Sequence, residues 1–450
     1  MIQSQSSPAG HRRAGGAALL PPAAVASAAR SAAVHSGTAE RERRLHDETV
    51  GLLTRAGFAR HFVPRAWGGS EGTFGALLDA ASAVGAGCAS AAWCGALWAA
   101  HGRFAAYLPP DGQRDLWAAS PDTRITAVMA PSGEATPTPD GWLLSGSWAY
   151  ASGVAFADWL LLTSTDPAEL GGGCRVFALP REQAEIVDTW RADGMRGTGS
   201  HTVVVDSVAI PRHRSFLLAD LTAGTPAPGR ARCHTVPAQL GGGLLFCAPA
   251  LGAARHALEA WSRWAARHAP ALPEAEVLRL HRVLALSADE IEAAQLLLRD
   301  AAQRADAETW AERDVARNRR IAASVIGLLA RGVERLHRAG ARSGAAGPDV
   351  VERCRRDVRT VASHRMLRRE QAAVDYARSV FSELSEVSAL SEISALSDIP
   401  GVSDMPDGSA VPAVPAAPDL SELAGVPDVS ELPVPVSPLA ALEAPHAEII

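Results

Sequence analysis

Three short segments of this chain carry residue types whose spacing could support chemistry. In Trp190-Arg-Ala-Asp-Gly-Met-Arg-Gly-Thr-Gly-Ser-His201, Gly194, Gly197 and Gly199 interleave with Thr198 and Ser200 just ahead of a strand-like run. Glycines there let the backbone approach a flat or anionic ligand, and free N–H groups with hydroxyls can hold a phosphate or a ring edge. Locally, an ordinary glycine-rich turn accounts for the segment equally well. In Ser145-Gly-Ser-Trp-Ala-Tyr-Ala-Ser-Gly153, Ser152 follows an alternating Trp148/Tyr150 run and could bond a ring edge from a strand end; a plain turn serine is the simpler local reading. In Arg356-Asp-Val-Arg-Thr-Val-Ala-Ser-His364, residues Asp357, Val361 and His364 fall on one helical face. A histidine there can work as an acid–base group near neutral pH, or simply pack.

Other chemistries are absent from the sequence. There is no lysine, so no Schiff base and no P-loop. The spacing G-x-G-x-x-G of a dinucleotide site occurs nowhere. The six cysteines form no C-x-x-C pair and have no histidines at zinc spacing, so no metal-ligand set is expected. They read as reduced, mostly buried thiols of a cytoplasmic protein. No apolar run is long enough for a membrane span. The formal net charge of −6 hides an asymmetry, because the residues from Ser382 onward contain twelve acids and no Arg. The mildly basic remainder suits an anionic ligand, and no basic run is dense enough for nucleic acid.

The elements that must position these segments follow from texture. Residues 1–35 read as a disordered extension, with Pro21-Pro22 interrupting an Ala-rich stretch, and 36–122 as a helical domain. Short apolar or alternating runs punctuated by Pro, Gly and Asp mark a β domain at 123–232. Apolar residues at three-to-four spacing over Glu274–Ala307 and Asp314–Ala339 mark a helix bundle at 233–382. Residues 383–450 read as an acidic low-complexity tail with a serine period of three. The fold class is thus α+β, mostly α, with the β domain set between two helical parts.

In order and spacing, His46-Asp-Glu-Thr-Val50, Ala56-Gly-Phe58, Val63-Pro-Arg-Ala-Trp-Gly-Gly69 and the three segments above resemble the flavin monooxygenases of the acyl-CoA dehydrogenase superfamily, over about Glu40 to Phe381. The resemblance implies an N-terminal helical domain, a middle β domain and a C-terminal four-helix bundle. It further implies a flavin between the β domain and the bundle, and a homotetramer. By position it makes Trp148, Tyr150, Ser152, Gly153, Arg196, Gly197, Thr198, Gly199 and Ser200 cofactor-binding residues. It makes His364, Ser152 and, as a substrate-side histidine, His101 the catalytic ones. Dehydrogenases of that superfamily carry a base glutamate after Arg-Asp, whereas this chain reaches His364 first and its next glutamate is Glu370. A histidine fits handling of a flavin C4a-hydroperoxide and an ionising substrate. The resemblance therefore implies a two-component monooxygenase that takes reduced flavin (FADH2 or FMNH2) and O2 and oxygenates a small organic substrate, such as an aromatic one. Alternatives are an oxidase or dehydrogenase of acyl thioesters and a non-catalytic interaction protein. With no nicotinamide fingerprint, a separate NAD(P)H:flavin reductase is the expected partner. The isolated chain mixed with NAD(P)H and oxidised flavin should leave the flavin unreduced; rapid NAD(P)H consumption by this chain alone would overturn the two-component reading.

Overall fold

The computed structural model describes residues 20–166, 173–342 and 349–397. It opens with five helices: α1 (Pro22–Glu42), α2 (Asp47–Ala56), α3 (Phe74–Gly85), α4 (Ala89–Ala105) and α5 (Pro110–Trp117). Helix α1 lies mostly inside the stretch expected to be a disordered extension, so that expectation is corrected. The Pro21-Pro22 pair does not interrupt a helix; it begins one, because proline at the first helical position gives up only an orphan N–H. The buried face of α1 is made of Val25, Ala28, Ser31, Ala32, Ser36 and Ala39. Residues this small leave almost no apolar periodicity to read.

Two four-stranded sheets follow. Strands β1 (Ile125–Val128), β4 (Trp159–Thr165), β5 (Cys174–Pro180) and β8 (Ser215–Leu217) form one, in the order β1-β4-β5-β8. Strands β2 (Glu134–Thr138), β3 (Gly141–Ala151), β7 (His201–Pro211) and β6 (Glu185–Val187) form the other, in the order β2-β3-β7-β6. All pairings are antiparallel except β1 with β4. Side chains alternate across a strand, and here both faces of the first sheet are covered. Leu160, Leu162, Phe177 and Leu179 point into the core between the sheets, while Leu161, Val176 and Ala178 pack against Ala105, Tyr107 and Trp117 on the helical side.

After the short α6 (Leu218–Ala223), helices α7 (Ala238–His268), α8 (Glu274–Asp306), α9 (Glu312–Arg342) and α10 (Asp349–Ala362) pack as a four-helix bundle, with α3 seated on α7 and α8. Helix α11 (Arg369–Ser397) completes the described chain. It carries helix past residue 383, into the stretch expected to be tail; the rest of that tail lies outside the described residues. Among the described residues no helix is long and apolar enough to cross a membrane, and Cys88, Cys94, Cys233, Cys247 and Cys354 are free thiols.

Helices α3 and α7 cross at their glycines. A Cβ on Gly252 would lie 2.2 Å from the Ser82 carbonyl oxygen and 2.7 Å from the Ala86 nitrogen, and one on Gly85 would lie 2.7 Å from the Pro249 carbonyl oxygen. The obstacles are backbone and cannot swing away. Gly252→Ala should therefore destabilise the fold by about 1–3 kcal/mol, the usual cost of overpacking a core. A melting temperature equal to the parent's would show that the two helices do not pack this closely.

Candidate active site

Strand β3 does not run cleanly to its end. Its register against β7 shifts between Trp148 and Ala151, and Tyr150 takes a φ of +67°, so a bulge turns the chain outward just before Ser152. Gly153, at φ +68°, completes the turn, and its N–H donates to the Thr198 carbonyl at 2.8 Å. Thr198 ends a 3-10 turn over Arg196–Thr198, entered through Met195 at φ +54°. Two glycine-rich segments 40-odd residues apart in sequence are thereby fastened to each other.

Their hydroxyls form a directed chain. Trp93 Nε1 of α4 donates to Ser152 Oγ at 3.1 Å, Ser152 Oγ lies 2.8 Å from Ser200 Oγ, and Ser200 Oγ lies 2.7 Å from Thr198 Oγ1. Thr198 Oγ1 donates to the Met195 carbonyl at 2.8 Å. An indole N–H can only donate and a carbonyl can only accept. Every hydroxyl proton between them must therefore point the same way, from Ser152 to Ser200 to Thr198. Each hydroxyl keeps one lone pair for a further donor.

The loop bearing this chain is held from behind by α10. Asp357 Oδ1 accepts the Met195 N–H at 2.6 Å, and Thr360 Oγ1 accepts the Gly194 N–H at 3.1 Å. Arg356 reaches the Asp193 carbonyl at 3.2 Å and pairs with Glu40 of α1. Asp357 is buried, and burial pushes its carboxyl up to about 6 against the opposing pull of the Met195 N–H.

Past the end of α10, His364 comes round to the same spot. Its ring lies 4.2 Å from Phe246 of α7 and 5.8 Å from Trp93, centroid to centroid. Trp93 thus touches Ser152 through its nitrogen and His364 through its ring. Burial first, and then Arg365, lowers the His364 pKa to about 4, so the imidazole is neutral at pH 7. Its Nδ1 accepts the Met366 N–H at 3.3 Å, which leaves the proton on Nε2. Among the described residues Nε2 has no partner, so His364 offers a hydrogen-bond donor rather than a base.

The other expected residues are placed differently. Trp148 is fully buried between the sheets, with Nε1 donating to the Thr163 carbonyl at 2.8 Å, so it is core rather than a ligand contact. Gly197 faces Ala39 and Ser90, where an added Cβ would sit 3.0 Å and 3.2 Å away, so it serves the packing of α1. Gly199, at φ +50°, faces the Arg43 carbonyl. Tyr150 is 74% exposed, with its ring edge-on to Trp190. His101 turns towards β1, its Nδ1 2.8 Å from the Ile125 carbonyl oxygen and 3.1 Å from the Ala127 nitrogen. It meets the hydroxyl chain only indirectly: the intervening Thr126 donates from Oγ1 to the Ser152 carbonyl at 3.0 Å. Among the described residues, Trp98 Nε1 and Arg196 Nε are buried donors without a hydrogen-bond partner. Sequence reasoning missed Trp93, Trp98 and Phe246. The available signal was two tryptophans in an otherwise Ala-rich helix, where a large ring marks a place the helix must stand off from its neighbour.

Residues 244–369 match the family model for the C-terminal domain of acyl-CoA dehydrogenase. The oxygenase component of an FADH(2)-dependent resorcinol hydroxylase from Rhizobium sp. is 34% identical over 228 residues, 49% of this chain and 56% of that protein. The oxygenase subunit HsaA of a flavin-dependent monooxygenase from Mycobacterium tuberculosis is 34% identical over 204 residues, 43% of this chain and 50% of that protein. The chain spans about half the length of these curated relatives. Among solved structures, HsaA of M. tuberculosis superposes with a TM-score of 0.73 at 27% identity, covering 80% of this chain and 96% of that one. The 3-HSA hydroxylase of Rhodococcus sp. RHA1 superposes with a TM-score of 0.74 at 24% identity, over 80% and 96%. XiaF from Streptomyces sp., solved with FADH2, superposes at 0.69 and 24% identity over 80% and 95%.

The buried groups set an acid limit. His61, His101 and His364 are each lowered to about 4, mainly by burial. Between the ordinary histidine value of 6.5 and about 4 the unfolded chain holds protons that the folded chain refuses, so stability falls as pH falls. Asp357 acts in the opposite sense, taking its proton near 6 when folded and near 3.8 when not. His201, His234 and His256 are lowered as well and Asp306 is raised, so the lowered histidines outnumber the raised carboxyls and leave a net loss, at about 1.4 kcal/mol per pH unit for each uncompensated proton. The melting temperature should drop from pH 7 to pH 5, and less steeply in His364→Gln. A flat profile would mean that these histidines are solvated.

Proposed function

We propose that this chain, which has the acyl-CoA dehydrogenase fold, is the oxygenase component of a two-component flavin-dependent monooxygenase. The observation that carries the reading is the meeting of the Ser152–Ser200–Thr198 hydroxyl chain with a neutral, half-buried His364 through Trp93. The names of the sequence relatives agree with it.

The residues present fit a flavin. Three aligned hydroxyls keep spare lone pairs for ring N–H groups, and His364 Nε2 and the buried, unpartnered Trp98 Nε1 supply donors. Arg196 brings positive charge, with its Nε still unpartnered, and Tyr150 with Trp190 adds an open aromatic wall. When bound, reduced flavin supplies the two electrons with which one atom of O2 enters the substrate and the other leaves as water. Ser152, Ser200 and Thr198 hold the polar edge in register, because their protons are already committed along one direction. Phe246 and Trp93 shield His364 from bulk water, which favours oxygen transfer over loss of hydrogen peroxide. His364 presents its Nε2 proton to an oxygen of the substrate or of the attacking species.

Phe246 and Trp93 form an aromatic wall, which suits a small aromatic substrate. Phenolic and indolic compounds are the substrates named for relatives such as the p-hydroxyphenylacetate 3-hydroxylase of Acinetobacter baumannii and the indole-3-acetate monooxygenase of Pseudomonas putida. The partner is a separate NAD(P)H:flavin reductase. Free thiols suit the cytoplasm, and exposed Val374, Phe381 and Leu384 on α11 suit contact between copies in a homotetramer.

His364→Ala should fold and bind reduced flavin, consume oxygen, and form product roughly a hundredfold more slowly, with hydrogen peroxide taking its place. The ratio of product to peroxide, measured beside a melting curve, decides the matter. An unchanged ratio with a lowered melting temperature would make His364 a packing residue.

A further inference from the structure

Away from this site, the junction of α1 and α2 brings together three side chains that the sequence separates. His35 comes from the middle of α1, His46 is the N-cap of α2, and Glu48 lies in the first turn of α2. The backbone reverses between the two helices through Arg43 at φ +55°, which sets the histidines side by side. Their rings stack 3.7 Å apart at an interplanar angle of 4°, and His35 Nε2 lies 3.0 Å from Glu48 Oε2. One potential ligand atom from each residue falls within 4.8 Å of the others. The group borders an open groove of about 320 Å³ with His35 and Glu48 in its wall, so an ion and its water can reach it.

We propose that His35, His46 and Glu48 form a site for a divalent transition-metal ion of the zinc type, which staples α1 to α2. Two imidazoles and one carboxylate are a donor set for Zn2+ with the fourth position left to water. Imidazole donors favour Zn2+, Ni2+ or Cu2+ over Mg2+ and Ca2+, which prefer oxygen. A metal lies in the plane of the imidazole that binds it, so one of the two stacked rings must turn on binding. Both side chains are half-buried, with His35 facing the open groove. The N-cap bond from Glu48 N–H to His46 Nδ1 is long, at 3.3 Å, and is given up or redirected. Arg30, which lines the groove and bonds Ser27, and the Arg44–Asp47 pair at the start of α2 contribute no ligand to the three.

The position gives the staple a structural consequence. Helix α1 packs Ala39 against Gly197 and pairs Glu40 with Arg356, so it covers the loop that carries the hydroxyl chain. Fastening α1 to α2 therefore also fastens that cover.

Titration of tag-free, chelator-treated protein with Zn2+ by calorimetry tests the site, with Co2+ as a spectroscopic probe. The expected result is one equivalent bound with a dissociation constant in the low micromolar range or tighter, a raised melting temperature with Zn2+, and the visible bands of four-coordinate Co2+. His35→Ala and His46→Ala should each weaken binding by more than the roughly 10–100-fold lost with a merely supporting group, and Glu48→Gln should weaken it less. Because His46 caps α2, the Zn2+-induced rise in melting temperature is read against each variant's own metal-free value, and it should be lost in both. Co2+ bands absent from the parent, or Zn2+ affinity unchanged in the His35→Ala/His46→Ala double variant, would overturn the proposal.

Discussion

Much of this molecule depends on how one backbone unit is held. The Met195 N–H is taken by Asp357 of α10, and its carbonyl ends the hydroxyl chain that begins at Trp93 of α4. Both groups belong to a residue with a left-handed φ, a conformation that persists only when its surroundings over-determine it. The β domain is thus fixed to the helices before and after it at the point where its glycine-rich loop turns. Neither anchor is replaceable by generic packing, because each depends on a single donor or acceptor in a buried place.

The second constraint is closeness. Helix α4, which carries Trp93, Trp98 and His101, is otherwise rich in alanine and glycine, and such helices approach to backbone contact. Gly85 and Gly252 do this between α3 and α7, and Gly197 does it beneath α1. Against this tight background the few large rings define where space remains. Trp93 and Phe246 are the rings that flank His364.

The third is proton bookkeeping. Burial removes the positive charge from His364 and His101 at neutral pH and brings the Asp357 carboxyl close to it. With the hydroxyl protons committed in one direction, the site presents defined donors and acceptors before any ligand arrives. On the proposed function, this is the preorganisation that a reaction competing with water requires.

The sequence alone was enough for the order of the parts. It also put Asp357, Val361 and His364 on one helical face, whereas α10 ends at Ala362 and His364 lies past it in extended backbone. The three-to-four apolar spacing in α8 and α9 is long and amphipathic, and the strands between Ile125 and Leu217 alternate with clear punctuation. Such periodic signals survive without tertiary context. Tertiary structure alone decided the rest. It drew α1 out of an Ala-rich stretch, because burying small side chains leaves little pattern to detect. It turned Trp148 into core and moved Tyr150 to the surface through a bulge that shifts register by one residue, a change no spacing rule records. It brought Trp93 and Phe246 to His364 from helices far apart in the chain, and His35 to His46 across a left-handed turn. In each case the deciding contact joins residues distant in sequence, and it exists only once the chain has closed on itself.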